Sequence, residues 1–346
     1  MKAADSKFFA TRSGLSRHKG GSMSQQRRRL MFTATALATL VCSGVYAQGR
    51  SSKTTRILVG FPAGQATDQV ARLIADQLQK ALDQTFIVEN KPGQGGSIAL
   101  GQLAKSPADG TALSLSALAA YVVNPTLYSN VTYDATRDFD PIALVADLPL
   151  VLAVHPSLPV KTLQDLINFA KANPAALSHP SSGNGTLSHL LMEDFKRRSG
   201  INILHVPYQG SARALVDLIA GIVQVGLDTA TVILPQVKAG KLRLIAVGSS
   251  KRLSDVPDIP TISELGFPGF EAVAWIGLTS PSGMPRSERE RIQNVITKAL
   301  ISSEFADKLR SIGAIPRPMT IDEFAAFMLS EQVRWKAIVE QSGIKL

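Results

Sequence analysis

The sequence predicts an α/β fold in two lobes, each with a mostly parallel sheet flanked by helices. Strand-like and helix-like segments alternate along the chain after residue 55, a pattern in which helices connect parallel strands. The alternation occurs in two successive sets with no low-complexity linker between them. With 346 residues, 45% hydrophobic and 18% charged, the chain can bury a substantial core.

The first set predicts three parallel strands. A continuous apolar run at 57–61 is typical of a strand that is buried on both faces. From Thr67 to Leu82 apolar residues recur at helical spacing, and strand-like runs follow at 85–90 and 112–118. This β-α-β-α-β order predicts a parallel sheet with helices on both faces.

The second set begins with a strand-like run at 148–156. A helix follows, which Thr162 opens and which ends before Pro174. Residues 181–199 repeat the order of loop and helix, and 203–228 indicate strand, turn, helix and strand. The remaining predicted elements are a strand in KLRLIAVGSS, a crossing strand at 273–285, and amphipathic helices near 286–302 and 321–341.

These two sets define the predicted lobes, 54–148 plus 273–346 and 149–272. The chain would then cross between the lobes more than once. Multiple crossings are typical of hinged binding proteins.

Residues 1–47 are predicted to be a signal peptide that directs export to the periplasm. A cationic run precedes an apolar stretch at 30–41, and small residues end at Ala47, the expected cleavage site. The apolar stretch is too short for a spanning helix of about 20 residues. Met23 is an alternative start, and the Sec and twin-arginine export routes both stay open.

The formal net charge of +10 belongs mostly to this leader, which holds eight Lys or Arg against the single acid Asp5. No basic stripe interleaved with aromatic residues follows it, so we expect no nucleic-acid partner. The only cysteine, Cys42, also lies in the leader, and the exported chain is predicted to have no disulfide.

The segment RILVGFPAGQATDQVARLIADQL places a Gly/Ala turn between a strand and a helix. A helix N-terminus at a strand end favours anions through its free N–H groups and its dipole. The turn lacks the lysine of a phosphate loop, and GQGGSI fails the dinucleotide fingerprint at Ile98. A plain helix cap by Thr67 or Asp68 is the alternative to anion binding, and the residues alone leave both open.

The second glycine-rich loop, SSGNGTLSH at 181–189, allows two interpretations. Gly183 and Gly185 allow a ligand to approach the backbone, whereas the simpler alternative is a turn in which Thr186 caps the next helix. Two such loops, one in each predicted lobe, could face each other across a cleft.

Catalytic motifs are absent from the sequence. There is no Gly-x-Ser-x-Gly elbow and no His-x-x-x-His spacing, so we expect neither an enzyme nor a metal or other cofactor. An exported serine hydrolase using His189 and Asp228 is kept as the alternative from another class. Asp228 ends a strand, where it would face the cleft or hold a loop, and Tyr208 would form a cleft wall or cover the core.

Eight motifs occur in order: GFPAGQATDQVAR, VENKPGQGGSIA, SPADGTAL, HPSLPVKTLQDLI, SSGNGTLSHL, HVPYQGSARALVDLIAG, IPTISELGFPGFE and GMP. Together they resemble the Bug family of periplasmic solute-binding receptors of tripartite tricarboxylate transporters, over about residues 55–346. The resemblance implies a two-lobed periplasmic-binding-protein (Venus-flytrap) fold. It also implies a small carboxylate enclosed between the lobes, held mainly by backbone N–H groups and ordered water.

The resemblance places ligand-binding positions in both loops, at Phe61, Gly64, Thr67, Asp68, Ser182, Gly183, Gly185, Thr186 and His189. The predicted site also includes Ala63, Gln65, Leu118, Tyr121, Asn184, Tyr208 and Asp228. Gln65 replaces the second glycine of a pair usual in the family, and it would narrow the pocket or donate an amide hydrogen bond. The expected partners are a small carboxylate and the membrane components of a tripartite transporter, or alternatively the outer domain of a sensor kinase. A monomer is expected.

Overall fold

The computed structural model describes residues 54–174 and 176–342. The predicted leader at 1–47 and Cys42 lie outside these residues. In the part of the chain that is described, no helix has the length and apolar character needed to cross a membrane.

Strands and helices alternate along the described chain. The strands are β1 (Thr55–Val59), β2 (Phe86–Asn90), β3 (Ala112–Ala117), β4 (Phe139–Val154), β5 (Ser178–Ser181), β6 (Leu204–Pro207), β7 (Val225–Thr229), β8 (Arg243–Val247), β9 (Val273–Pro281) and β10 (Ile315–Pro316). The α-helices are α1 (Ala66–Leu82), α2 (Ser97–Leu103), α3 (Asn124–Leu127), α4 (Leu163–Ala172), α5 (Leu187–Ser199), α6 (Ser211–Ile219), α7 (Ala230–Lys238), α8 (Arg286–Ile301), α9 (Ser303–Ser311) and α10 (Ile321–Ser342). A 3₁₀ turn (Gln94–Gly96) precedes α2, and a π-helical turn (Ala119–Val123) precedes α3.

The expected α/β class is confirmed, and the main sheet is mixed. β1 pairs in parallel with β2 and β3, as the β-α-β-α-β order predicts. β9 runs antiparallel between β3 and β4, because the chain returns from the second set of elements and enters the sheet beside β4. β5 and β6 form a separate parallel pair.

β4 is the strand on which the two sets of elements meet. Its residues 139–149 pair with β9, whereas 150–154 pair on either side with β7 and β8. The sequence predicts only the second half of this strand. Its first half contains Pro141 and two register shifts, which interrupt the alternating pattern from which a strand is recognised.

Two helices, α4 and α9, begin with a side-chain cap, and the sequence predicts only the first of them. α4 begins as predicted after Thr162, whose hydroxyl accepts a hydrogen bond from Asp165 N, while the Asp165 side chain accepts one from Thr162 N. The short helix α9 was not predicted, although Ser302 caps it by accepting from Phe305 N.

Aromatic packing joins the C-terminal helix to the sheet. Trp275 of β9 stacks on Tyr121 at a centroid distance of 5.8 Å, and it meets Phe324 of α10 edge-on at 5.8 Å. The indole N–H groups of Trp275 and Trp335 both donate to Oε2 of Glu331 at 3.1 Å. These contacts hold α10 against β9 of the main sheet.

Candidate ligand-binding site

A small cavity lies beside residues 148–150 of β4 and Ala274 of β9, where the chain passes between the two predicted lobes, and we call it the crossing cavity. Its volume is about 60 Å³, room for roughly two water molecules at ~30 Å³ each. It is lined by Phe61, Gln65, Ala66, Thr67, Ala117, Ala119, Leu148, Leu150, Ser182, Thr186, Leu187, Ser188, Ser211, Asp228, Thr229 and Ala274.

The N-terminus of α1 forms one wall of the cavity. Its N-cap residue is Gln65, whose side chain makes no capping hydrogen bond. Neither Thr67 nor Asp68 takes the N-cap position that the sequence allowed them. The first N–H groups of a helix have no partner within it, so those of Ala66 and Thr67 remain available at this wall.

Asp68 fixes the loop that precedes α1. Its carboxylate accepts hydrogen bonds from Gly64 N at 2.8 Å, from Arg72 at 2.9 Å and from Asn90 at 2.9 Å. Burial alone would raise the pKa of Asp68, but these hydrogen bonds lower it below its ordinary value. Asp68 therefore remains charged and holds the loop from behind.

The N-terminus of α5 forms the opposite wall. Thr186 is its N-cap residue, but the hydroxyl donates to Gly183 O at 2.7 Å instead of capping the helix. The nearby Ser182 N donates to Ser188 Oγ at 3.1 Å. The glycine-rich loop is thus held by side-chain hydroxyls, and the first turn of α5 is open to the cavity.

Two further helices begin at the cavity. α6 starts at Ser211 and α7 follows Thr229, and neither helix has a side-chain cap. Away from the cavity, α4 and α9 carry the side-chain caps described above, whereas α2, α3 and α8 have none. Four uncapped N-termini around one cavity give it a positive potential and several free donors, which suits an anion.

Asp228 adds one acidic group to this wall. Its carboxylate accepts from Ser211 Oγ at 2.6 Å and from Thr229 N at 2.7 Å, so it links the starts of α6 and α7. Burial raises the pKa of Asp228, and the hydrogen bonds from Ser211 and Thr229 oppose that shift. Asp228 is the acidic group that a second negative charge would meet in the cavity.

Three stacked histidines support the glycine-rich loop from below, and we call them the histidine stack. The rings of His189 and His205 are 4.0 Å apart and those of His205 and His179 are 4.9 Å apart. Gly185 N donates to His189 Nδ1 at 3.3 Å, and Ser181 Oγ is hydrogen-bonded to His205 Nε2 at 2.7 Å. Stacked rings do not converge on a metal, and within 54–174 and 176–342 no His, Cys, Asp or Glu cluster suits one.

The structure brings part of the predicted site together at the crossing cavity. Six predicted residues line it: Phe61, Gln65, Thr67, Ser182, Thr186 and Asp228. Ala63 and Gly64 lie in the exposed part of the first loop, and Asn184 lies at the exposed tip of the second. Asp68, Gly183, Gly185 and His189 hold the two loops through the hydrogen bonds given above.

Three predicted aromatic or aliphatic positions lie away from the cavity lining. Leu118 and Tyr121 are fully buried, and the Tyr121 hydroxyl is hydrogen-bonded to Thr279 at 2.7 Å. Tyr208 donates to Asp217 at 2.6 Å, and burial together with this carboxylate raises the pKa of Tyr208 to about 12. These side chains act as core or as loop supports in this structure.

Sequence reasoning missed several lining residues. Leu148, Leu150 and Ala274 reach the cavity because β4 pairs with the distant strand β9, and no local sequence pattern indicates that pairing. Ser211 and Thr229 carried a usable signal, because each stands at the start of a helix that follows a strand.

Larger grooves occur elsewhere on the described chain, but their acidic groups are already paired. In a groove of about 540 Å³, Asp147 binds Arg317 at 3.1 Å and Glu331 binds Arg334 at 3.1 Å. The crossing cavity instead contains polar atoms that lack partners among the described residues, Gln65 Nε2 and Thr229 Oγ1. Unpartnered buried polar atoms are rare in proteins, and the presence of two at this cavity makes it the candidate ligand site.

The described residues do not form the hydrogen-bonded serine, histidine and aspartate that the hydrolase alternative requires. Within the described residues, the hydrogen bonds of Asp228 go to Ser211 and Thr229 and not to a histidine. Ser181 does contact His205, but burial and the neighbouring histidines lower the pKa of His205 to about 3. A base with that pKa is too weak to activate a serine near neutral pH.

Comparison with known proteins agrees with this geometry. Residues 70–344 match a family described as "Tripartite tricarboxylate transporter family receptor". BugT of Bordetella pertussis is 35% identical over 318 residues, which cover 91% of this chain and 96% of BugT.

Two solved structures show the same fold. "R. palustris Rpa4515 with adipate" has a TM-score of 0.83 at 34% identity, covering 86% of this chain and 99% of that one. MatC (Rpa3494) from Rhodopseudomonas palustris with bound malate has a TM-score of 0.77 at 30% identity, covering 83% and 98%. The chain therefore belongs to the Bug family of receptors of tripartite tricarboxylate transporters.

Proposed function

We propose that this protein captures a small organic carboxylate in the crossing cavity and delivers it to a tripartite tricarboxylate transporter. The observation that carries the proposal is the convergence of four uncapped helix N-termini on one cavity. Free N–H groups and helix dipoles bind a carboxylate without needing an arginine or lysine. Relatives solved with adipate and with malate support this class of ligand.

Capture requires the cavity to open and close, and the two predicted lobes supply the motion. We place the hinge where residues 148–150 of β4 meet 272–274, because sheet pairing changes partners there. In this structure the lobes touch beyond the hinge, where the Tyr128 hydroxyl donates to Asn184 O at 2.6 Å. Closure excludes water and strengthens the hydrogen bonds to the bound anion.

Export places the receptor in the periplasm, where such a transporter collects its substrates. Residues 1–47 serve as the signal peptide in this proposal, and processing leaves a chain beginning at Gln48. Sequencing the N-terminus of the protein from the periplasmic fraction tests this step. A mature chain that retains residues 1–47 would contradict it.

Calorimetric titration of the purified protein with carboxylates of two to six carbons tests ligand capture. Each acid is paired with its neutral amide, for example succinate with succinamide, so that shape is kept while charge is removed. We expect one-to-one binding of at least one acid and none of its amide. A saturating acid at 100 times its Kd should stabilise the fold by about 2.7 kcal/mol.

Hydrolysis of the corresponding ethyl esters is measured in parallel. We expect no turnover above the buffer rate. Equal binding of acids and amides, or turnover of an ester, would overturn the proposed function.

A further inference from the structure

The Gln65 side chain occupies the crossing cavity in an unusual state. The residue is only 5% exposed, and its Nε2 finds no hydrogen-bond partner among the described residues. An amide N–H that is buried and unpaired is unfavourable, since it has given up water without a replacement. Gln65 Nε2 is therefore satisfied only when another group accepts its hydrogen bond.

The amide also sets the size of the cavity. A Cβ built on Gly210 would lie 2.0 Å from Gln65 Nε2, so the amide is packed against the backbone at the start of α6. Gly210 has a φ of +104°, a conformation that glycine adopts freely. Gln65 thus reaches from the first turn of α1 to the first turn of α6, and it fills the space between them.

From these two facts we propose that Gln65 is the specificity-determining residue of this receptor, selecting short acids of two to four carbons. The proposal rests on the proposed function, carboxylate capture in the same cavity. Gln65 Nε2 donates to a carboxylate or hydroxyl oxygen of the ligand, and the side chain leaves no room for a longer chain. The free volume of about 60 Å³ is smaller than any of these acids, so the cavity must open to admit one, and a short acid needs the least opening.

A second polar side chain at the cavity supports the need for an oxygen-rich ligand. Thr229 Oγ1 is buried in the same lining beside the Asp228 carboxylate, and a ligand oxygen can reach it there. A short hydroxy acid such as lactate or malate carries enough oxygen atoms to satisfy both groups. A long diacid such as adipate instead presents a methylene chain to them.

Two variants of Gln65 separate hydrogen bonding from size. Gln65→Met keeps the length of the side chain and removes the donor, whereas Gln65→Gly removes both. Glycine is well tolerated at an N-cap, and the Gln65 side chain makes no capping bond, so both variants are expected to fold. The matched control is Gln79→Met, an exposed position on the same helix.

Calorimetric Kd values for lactate, malate, glutarate and adipate test the proposal. We expect the native protein to bind lactate or malate at least about tenfold more tightly than adipate. Gln65→Met should bind the short acids roughly tenfold more weakly without gaining adipate, as one lost hydrogen bond to a charged group predicts. Gln65→Gly should tighten adipate binding relative to malate by about tenfold, and Gln79→Met should match the native protein.

The outcomes separate this inference from the function on which it rests. If the native protein binds acids and Gln65→Gly leaves their ranking unchanged, Gln65 does not determine specificity. If Gln65→Met and the native protein bind the short acids equally well, Gln65 Nε2 does not donate a hydrogen bond to the ligand. Failure of every acid to bind the native protein would overturn the proposed function, and this inference with it.

Discussion

Among single residues, Asp228 is the group that carries the same negative charge as the proposed ligand. It stands among helix N-termini, where its carboxylate holds Ser211 and Thr229 in place. The same position makes it repel a second carboxylate whenever it is ionised. Asp228 therefore combines a structural role with an unfavourable effect on anion binding.

Replacing Asp228 by Asn should separate these effects. Asn keeps an oxygen acceptor for Thr229 N and removes the negative charge, so we expect acids to bind roughly fivefold to tenfold more tightly at pH 7.5. Calorimetric Kd values measure the change, and Asp217→Asn is the control because Asp217 binds Tyr208 and does not line the cavity. Weaker binding by Asp228→Asn would show that the carboxylate contacts the ligand favourably.

At the scale of elements, helices with the same kind of N-cap residue serve different purposes. Thr162 and Thr186 are both N-cap threonines, but only Thr162 accepts a hydrogen bond from its own helix. The hydroxyl of Thr186 is used instead to hold Gly183 O, which leaves the start of α5 free at the cavity. Capping at one helix thus stabilises the fold, and its absence at the other leaves N–H donors at the crossing cavity.

The matched pair Thr162→Ala and Thr186→Ala tests this division. Thr162→Ala should lower the free energy of unfolding by about 1 kcal/mol through loss of the cap, with no change in acid affinity. Thr186→Ala should weaken acid binding severalfold, because the glycine-rich loop loses the hydroxyl that holds it. Urea denaturation and calorimetric titration of both variants provide the measurements. A Thr162→Ala variant that binds acid as weakly as Thr186→Ala would refute the distinction.

At the scale of the whole molecule, the histidine stack makes stability depend on pH. Burial, followed by the charges of His189 and His179, lowers the pKa of His205 to about 3, and burial also lowers the pKa of His189. Glu193 and Lys196 are the charged groups that face the stack. Hydrogen bonds from His179 and Lys196 lower the pKa of Glu193 to about 2, although burial alone would raise it.

The direction of the pH dependence follows from these pKa values. Unfolded histidine titrates near 6.5, so between about pH 6.5 and 3 the unfolded chain binds protons that folded His205 does not. The free energy of unfolding should therefore fall as pH falls through this range, by up to about 1.4 kcal/mol per pH unit for each such proton. Glu193 adds to the loss only below about pH 4.5, its unfolded value.

Urea denaturation at pH 7.5, 6.0 and 5.0 measures this dependence. His205→Phe keeps an aromatic ring in the stack and removes the titrating group, so its stability should fall less steeply over the same range. The comparison is made between the two proteins because Asp147 and Asp228, whose pKa values are raised by burial, contribute with the opposite sign. Identical slopes in the two proteins would contradict the role assigned to His205.

Features that depend on neighbouring residues, or on a series of motifs, could be predicted from the amino-acid sequence. The α/β class, the parallel pairing of β1 with β2 and β3, the capping of α4 by Thr162 and the Bug family were all predicted and are confirmed. Each rests on local physics, such as apolar periodicity, capping chemistry and turn residues, or on motifs preserved in order.

The places where these elements meet could not be predicted, because they depend on contacts that form only in the folded chain. The register shifts of β4, the position of Leu148 and Ala274 beside the cavity and the stacking of three histidines depend on contacts between distant segments. Tyr121 shows the same limit, because its place in the core depends on Trp275 across the sheet. Packing likewise decided that neither Thr67 nor Asp68 is the N-cap residue of α1, because it turned Asp68 toward Gly64 and placed Gln65 at the cap position beside the cavity.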